Sequence, residues 1–159
     1  MMRRKDREIT DFQELIAIMK KCDVCRIALN DSSGYPYILP LNFGMEVEGE
    51  KVVLYFHGAP EGKKYELMQA DSRVSFEMDY GHALEPAEDT NGCRCSMKYE
   101  SVIGRGKIVM PADEEKKKAL DCLMAQYHGT GRSFFYDDEV MARTKVFRLE
   151  VISMTGKRR

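Results

Sequence analysis

The segment Tyr55-Phe-His-Gly-Ala-Pro-Glu-Gly-Lys-Lys-Tyr-Glu-Leu67 concentrates the residue types best suited to chemistry. It reads as a β-strand, a glycine turn and a helix that opens with Lys63 and Lys64. Cations are unfavourable in the first turn of a helix, where the dipole is positive, unless an anion sits between them. Unpaired amides at the helix start, the flexible Gly62 and two ammonium groups together make a cradle for a phosphate. A solvated basic turn is the plain alternative. His57 ends the strand, and the two-residue period places it on the face of Tyr55 and Val53, opposite Leu54 and Phe56. There it either hydrogen-bonds a ligand and donates a proton, or satisfies loop carbonyls as a structural histidine.

A second segment, Leu39-Pro40-Leu41-Asn42-Phe43-Gly44, carries a proline that removes one ladder donor, which puts it at an edge, a bulge or a ligand-facing stretch. Such a stretch offers a flat heterocycle an apolar slab for its face and backbone groups for its rim; an ordinary edge strand fits equally. Five cysteines include the close pairs Cys22/Cys25 and Cys93/Cys95. The first pair enters an apolar strand and the second lacks the spacing of a zinc knuckle, so neither is read as a metal site. Cys122 is read as a packing residue. The cluster Phe134-Phe135-Tyr136 suits a substrate lid, a dimer contact or burial against the protein's own core.

These residues need a scaffold, and 159 residues are enough for one domain with its own core. With 25 basic against 26 acidic side chains, no general attraction to nucleic acid or anionic membrane is expected. No apolar run is long enough to span a bilayer, and the start Met1 to Lys5 leads into polar residues, so a cytoplasmic protein with reduced thiols is expected.

Thr10 and Gln13 have capping-box spacing. Phe12, Leu15, Ile16 and Met19 then recur at helical intervals, which predicts a helix from about Asp11 to Lys21. Strands are predicted at Val24 to Leu29, Tyr35 to Gly44, Lys51 to His57, Arg73 to Asp79, Met97 to Met110 and Lys145 to Met154. Gly104 and Gly106 permit a bend in the fifth of these. Helices follow Gly62, running to about Ala70, and Pro111, where Leu120, Leu123, Met124 and Tyr127 form the buried stripe before Gly129. The order α-β-β-β-α-β-β-α-β, with short turns and single inserted helices, favours a mainly antiparallel barrel. Tyr80 to Arg94 and Gly129 to Asp138 read as long irregular connections.

Several separated motifs, in order, resemble one family: Met2-Arg-Arg-Lys-Asp-Arg-Glu-Ile-Thr10, Pro40-Leu-Asn-Phe-Gly44, Phe56-His-Gly-Ala-Pro-Glu-Gly-Lys63, Cys95-Ser-Met-Lys-Tyr-Glu-Ser-Val102 and Thr155-Gly-Lys-Arg158. They are similar to the nitroimidazole-resistance branch of the pyridoxamine-phosphate-oxidase-like flavoproteins, over nearly the whole chain. The resemblance implies a mainly β (α+β) fold, a six-stranded antiparallel split β-barrel with peripheral helices, binding FMN at the interface of a homodimer. By motif, Lys63 and Lys64, which follow Gly62, match the basic pair that holds the flavin phosphate. Leu39, Pro40, Leu41 and Asn42 match the strand beside the isoalloxazine, and His57 with Gly58 match its turn-side contacts. Ser101 matches a polar residue that reaches the flavin from the following long strand. His57 also matches the family histidine associated with the reaction centre.

The chain lacks the C-terminal Arg-Leu-x-Pro substrate segment of true pyridoxamine-phosphate oxidases and has Met154-Thr-Gly-Lys instead, so vitamin synthesis is not expected. Cys95 stands where close relatives carry an aromatic residue before the Ser-Met pair. The resemblance thus implies an FMN-dependent oxidoreductase that passes electrons from NAD(P)H to a small acceptor such as a nitroaromatic. No GxGxxG fingerprint follows a strand, so a nicotinamide donor would bind transiently over the flavin. Alternatives are a flavin-binding store or sensor without turnover, and a barrel that binds heme.

Overall fold

Strands with one apolar face pair into a single antiparallel sheet. The computed structural model describes residues 3–159, so Met1 and Met2, the latter heading the N-terminal motif, lie outside the described residues. The strands are β1 (Glu8–Ile9), β2 (Cys25–Leu29), β3 (Tyr37–Leu41), β4 (Gly44–Glu48), β5 (Lys51–Gly58), β6 (Arg73–Glu85), β7 (Ser96–Val109) and β8 (Lys145–Arg158). The helices are α1 (Phe12–Met19), α2 (Lys63–Ala70), α3 (Lys116–His128) and α4 (Asp138–Arg143). The sheet order is β3-β2-β6-β7-β8-β5-β4, with β1 added to β8. This is the mainly antiparallel split-barrel α+β architecture that the sequence predicts.

The sheet has eight strands among the described residues, not six. One extra strand arises because the stretch Tyr35 to Gly44 is broken after Leu41. Pro40 weakens the ladder there, and the backbone N–H of Phe43 donates to the Tyr127 hydroxyl at 3.0 Å instead of continuing it. β3 and β4, on either side of the break, take different partners, β2 and β5, and β4 runs from Gly44 to Glu48, past the end of the predicted stretch. The other extra strand forms because β8 continues through the basic tail, pairing Lys157 with Glu8 and Gly156 with Ile9. The α1 cap also differs: the Asp11 carboxylate accepts from the Glu14 N–H at 2.9 Å, one residue beyond the Thr10–Gln13 spacing.

The main core lies on one face of the sheet, under α1. Phe43, Phe56, Phe76, Phe147, Ile27, Leu29, Leu54 and Met78 are buried, and α1 adds Leu15, Ile16, Ile18 and Met19. Phe56 stacks on Phe147 with ring centroids 5.2 Å apart. On the other side of β5, Tyr55 packs with Val146 against Ala119 and Leu123 of α3. The helix sits this close because position 44 is glycine; a Cβ there would lie 2.4 Å from the Cys122 and Leu123 backbone.

Both long connections are more ordered than the sequence suggests. β6 runs on to Glu85 through an irregularity between Tyr80 and Ala83, so the start of the first connection is strand paired with β7. The second folds back on α3: the Phe134 ring lies 5.5 Å from that of His128, and the Tyr136 hydroxyl donates to Asp121 Oδ1 at 2.8 Å. α4 follows it, capped by the Asp137 carboxylate, which accepts from the Glu139 N–H at 3.0 Å.

Candidate functional site

The end of β5 separates two environments by strand alternation. His57 projects to the side of α3, while Gly58 faces the start of α2. A Cβ at position 58 would lie 3.3 Å from Cε and 3.5 Å from Nζ of Lys64, so glycine leaves that ammonium room beside the strand. Gly62 caps α2 at φ +127°, with no side chain bonded to the first amides. The Tyr65 hydroxyl donates to the Ala59 carbonyl at 2.8 Å and ties the turn back onto the helix. Amides without a side-chain cap, a positive dipole end and an adjacent ammonium are the elements from which an anion cradle can be built.

The two lysines are not equivalent. Lys63 Nζ pairs with Asp31 Oδ2 at 2.5 Å and lies 5.3 Å from the centre of the Tyr37 ring. That ammonium, with the Ser33 N–H, holds the Asp31 carboxyl down at about 2. Lys64 has no carboxylate partner among the described residues; its Nζ lies 3.4 Å from the Glu61 carbonyl and 4.5 Å from the Tyr65 ring centre. A third cation, Lys145, pairs in register with Gly58 and lies 4.3 Å from the same ring centre. Sequence reasoning missed it, because only the β5–β8 pairing connects it to the turn.

β3 is an edge strand, as Pro40 requires, with Pro40 opposite Arg26. Leu39 and Leu41 pack on the core, whereas Ile38 and Pro40 are exposed on the outer face. Of the proposed ring-contacting stretch, Pro40 and Asn42 are therefore the residues most open to a ligand. Asn42 Nδ2 donates to the Asp23 carbonyl at 3.1 Å and to the Tyr127 hydroxyl at 3.2 Å. Tyr127 in turn donates to the Asp23 carbonyl at 2.7 Å.

Asn42 and His57, distant in sequence, line one hollow of about 290 Å³ together with Leu120, Leu123, Met124, Tyr127, His128 and Tyr136. Ser101 does not join it. It lies on the outer sheet face between Asp79 and Lys157. With β2 and β6 between its strand and β3, it stands about 14 Å across the sheet from that strand. Two larger hollows of about 650 Å³ lie elsewhere, one on the outer face beside Arg73, Arg105 and Lys107, the other beneath residues 129–134. Neither is lined by a histidine or reaches the α2 amides.

The five thiols are all free. Burial raises Cys22 to about 12 and pushes Cys25 higher still, so both stay protonated and unreactive. No helix among the described residues is long and apolar enough to cross a membrane.

Residues 11–158 match the family model described as pyridoxamine 5'-phosphate oxidase. Among solved structures, a candidate 5-nitroimidazole antibiotic resistance protein from Bacteroides thetaiotaomicron is similar at 36% identity and a TM-score of 0.78, over 94% of this chain and 85% of the other. An FAD and heme binding protein from Mycobacterium smegmatis matches at 18% identity and a TM-score of 0.78, over 96% of this chain and 73% of its own. A flavocytochrome from Azotobacter vinelandii matches at 17% identity and a TM-score of 0.80, over 100% and 72%. The last two likenesses are of fold alone. No curated protein matches the chain at a significant level.

Proposed function

Because the chain belongs to the pyridoxamine 5'-phosphate oxidase family, we propose that it is an FMN-dependent oxidoreductase that uses NAD(P)H to reduce a small acceptor such as a nitroaromatic. The observation that carries this reading is the junction at the end of β5. There an anion cradle built from Gly58, Gly62, Lys64 and the α2 amides begins one residue after His57, whose hollow lies on the opposite face of the strand. The cradle suits a phosphate monoester: among the described residues Lys64 has no carboxylate partner, the amides at the start of α2 have no side-chain cap, and glycine at position 58 leaves the Lys64 ammonium room beside the strand. The 36% identical Bacteroides protein supports a nitroaromatic acceptor.

Bound there, a flavin supplies the hydride and electron chemistry. Lys64 and the α2 amides hold the phosphate, with Lys63 sharing its charge between the phosphate and Asp31. Pro40 and the open side of Asn42 border the ring, and the His57 imidazole hydrogen-bonds the acceptor and delivers a proton to it. A homodimer completes the site. The outer sheet face that a second copy would cover mixes the exposed Ile38 and Ile103 with the Arg26–Glu77 ion pair between them. Ser101, on that same face and remote from the cradle of its own chain, reaches a cofactor only across such an interface.

Purified protein loaded with FMN tests this under anaerobic conditions. Bleaching of the flavin by NADH or NADPH, and steady-state reduction of 2-methyl-5-nitroimidazole well above the rate of free FMN, are expected. A loaded protein that neither bleaches nor turns over faster than free FMN is a binding protein, and a heme spectrum in place of a flavin spectrum replaces the cofactor assignment.

A further inference from the structure

We propose that the hollow between the end of β5 and α3 is the acceptor site, and that His128 and Tyr136, outside every motif that carries the family resemblance, determine which acceptor it takes. The reduction that follows binding rests on the flavin reading above; the site itself rests on the geometry. Its volume of about 290 Å³ falls at the small end of ligand pockets, which run about 300 to 1,000 Å³ for drug-sized molecules. One substituted ring fills it, and a dinucleotide does not enter.

The lining specifies the ring. Leu120, Leu123 and Met124 supply apolar and thioether surface for a flat face, and Tyr136 adds an aromatic wall. Most polar groups at the rim are spent: the Tyr127 hydroxyl bonds Asp23, Phe43 and Asn42, and both Asn42 amide protons are donated. His57 and His128 have no hydrogen-bond partner among the described residues, so two imidazole donors remain. Two donors around an apolar slab match a planar single-ring heteroaromatic with oxygen acceptors at its edge, a nitro or ring carbonyl group.

The wall is held from behind. Tyr136 donates to Asp121 Oδ1 at 2.8 Å, and Lys117 pairs with the other oxygen of that carboxylate at 2.7 Å. Phe134 packs on His128, and the connecting chain turns at Gly129 and Gly131, where φ is +79° and +89°. Asp121 thus holds Tyr136 and Phe134 holds His128, which makes Tyr136 and His128, rather than His57, the residues that shape selectivity.

The test uses 2-methyl-5-nitroimidazole as probe, with nuclear magnetic resonance of the histidine side chains in protein with and without FMN. The expected result is perturbation of His57 and His128 but not of His82, which lies apart beside Asp79. In the loaded enzyme, His128→Leu and Tyr136→Phe each raise KM for the probe by about fivefold or more, the loss of a single hydrogen bond or its support. Flavin bleaching by NADPH is followed separately, so a failure of the redox reading shows in the wild type without touching the binding result. The proposal is overturned if the probe perturbs neither histidine, if it perturbs His82 equally, or if both folded variants keep the wild-type KM.

Discussion

Replacing Lys64 with glutamine separates an anion cradle from a merely basic turn. Lys64 stands beside Gly58 and the uncapped α2 amides, with no carboxylate among the described residues to neutralise it. A hydrogen bond to a charged group is worth about 1.5 to 3 kcal/mol, so Lys64→Gln raises the Kd for FMN by about 10- to 150-fold. Lys63→Gln costs less, because Lys63 already spends its charge on Asp31 at 2.5 Å. Asp31→Asn acts in the opposite direction by releasing Lys63 to the ligand, and FMN binds more tightly. Riboflavin, which lacks the phosphate, binds wild type and Lys64→Gln alike. Quenching of flavin fluorescence on titration at low and moderate salt measures all of these, and the differences shrink as salt screens the charges. The reasoning is refuted if riboflavin loses as much affinity as FMN in Lys64→Gln, or if Lys63→Gln is the more damaging change.

Three further outcomes follow from the packing and the charges. Gly44→Ala places a Cβ 2.4 Å from the backbone of α3, and overpacking of this kind costs about 1 to 3 kcal/mol; thermal melting should fall by several degrees, and an unchanged midpoint would contradict the close approach. Cys93 and Cys95 are exposed while Cys22 and Cys25 are buried, so a disulfide reagent should label the first pair at once and the second only after denaturation. The Asp31 carboxyl, held at about 2 against an ordinary 3.8, contributes stability that is complete above the unfolded value and is lost as pH falls toward 2. Urea unfolding of Asp31→Asn should therefore show a flatter decline in acid than wild type, and parallel curves would exclude the Lys63 pairing.

Period-two alternation placed His57 opposite Leu54 and Phe56 from the sequence alone, and the proline in Leu39-Pro40-Leu41 marked an edge strand. Those signals are local. The break between β3 and β4 was not legible, because it depends on the Tyr127 hydroxyl, 84 residues from the Phe43 amide that it captures. β1 was missed because two residues acquire strand geometry only by pairing with the end of β8. The pairing of Lys63 with Asp31, the approach of Lys145 to Gly58 and the hollow that joins His57 to His128 all arise between elements far apart in the chain. Sequence spacing carries no record of them. The family motifs pointed to the turn and the histidine, whereas the inequality of the two lysines came from their neighbours in space.

The claim that bound FMN passes electrons to an acceptor beside His57 is tested most directly in a single turnover. Protein whose flavin has been reduced stoichiometrically with dithionite is mixed anaerobically with 2-methyl-5-nitroimidazole, and the return of flavin absorbance is timed. Reoxidation faster than that of free reduced FMN, and slowed in His57→Ala, is the predicted result. Reoxidation no faster than free FMN, or equally fast without the imidazole, contradicts it.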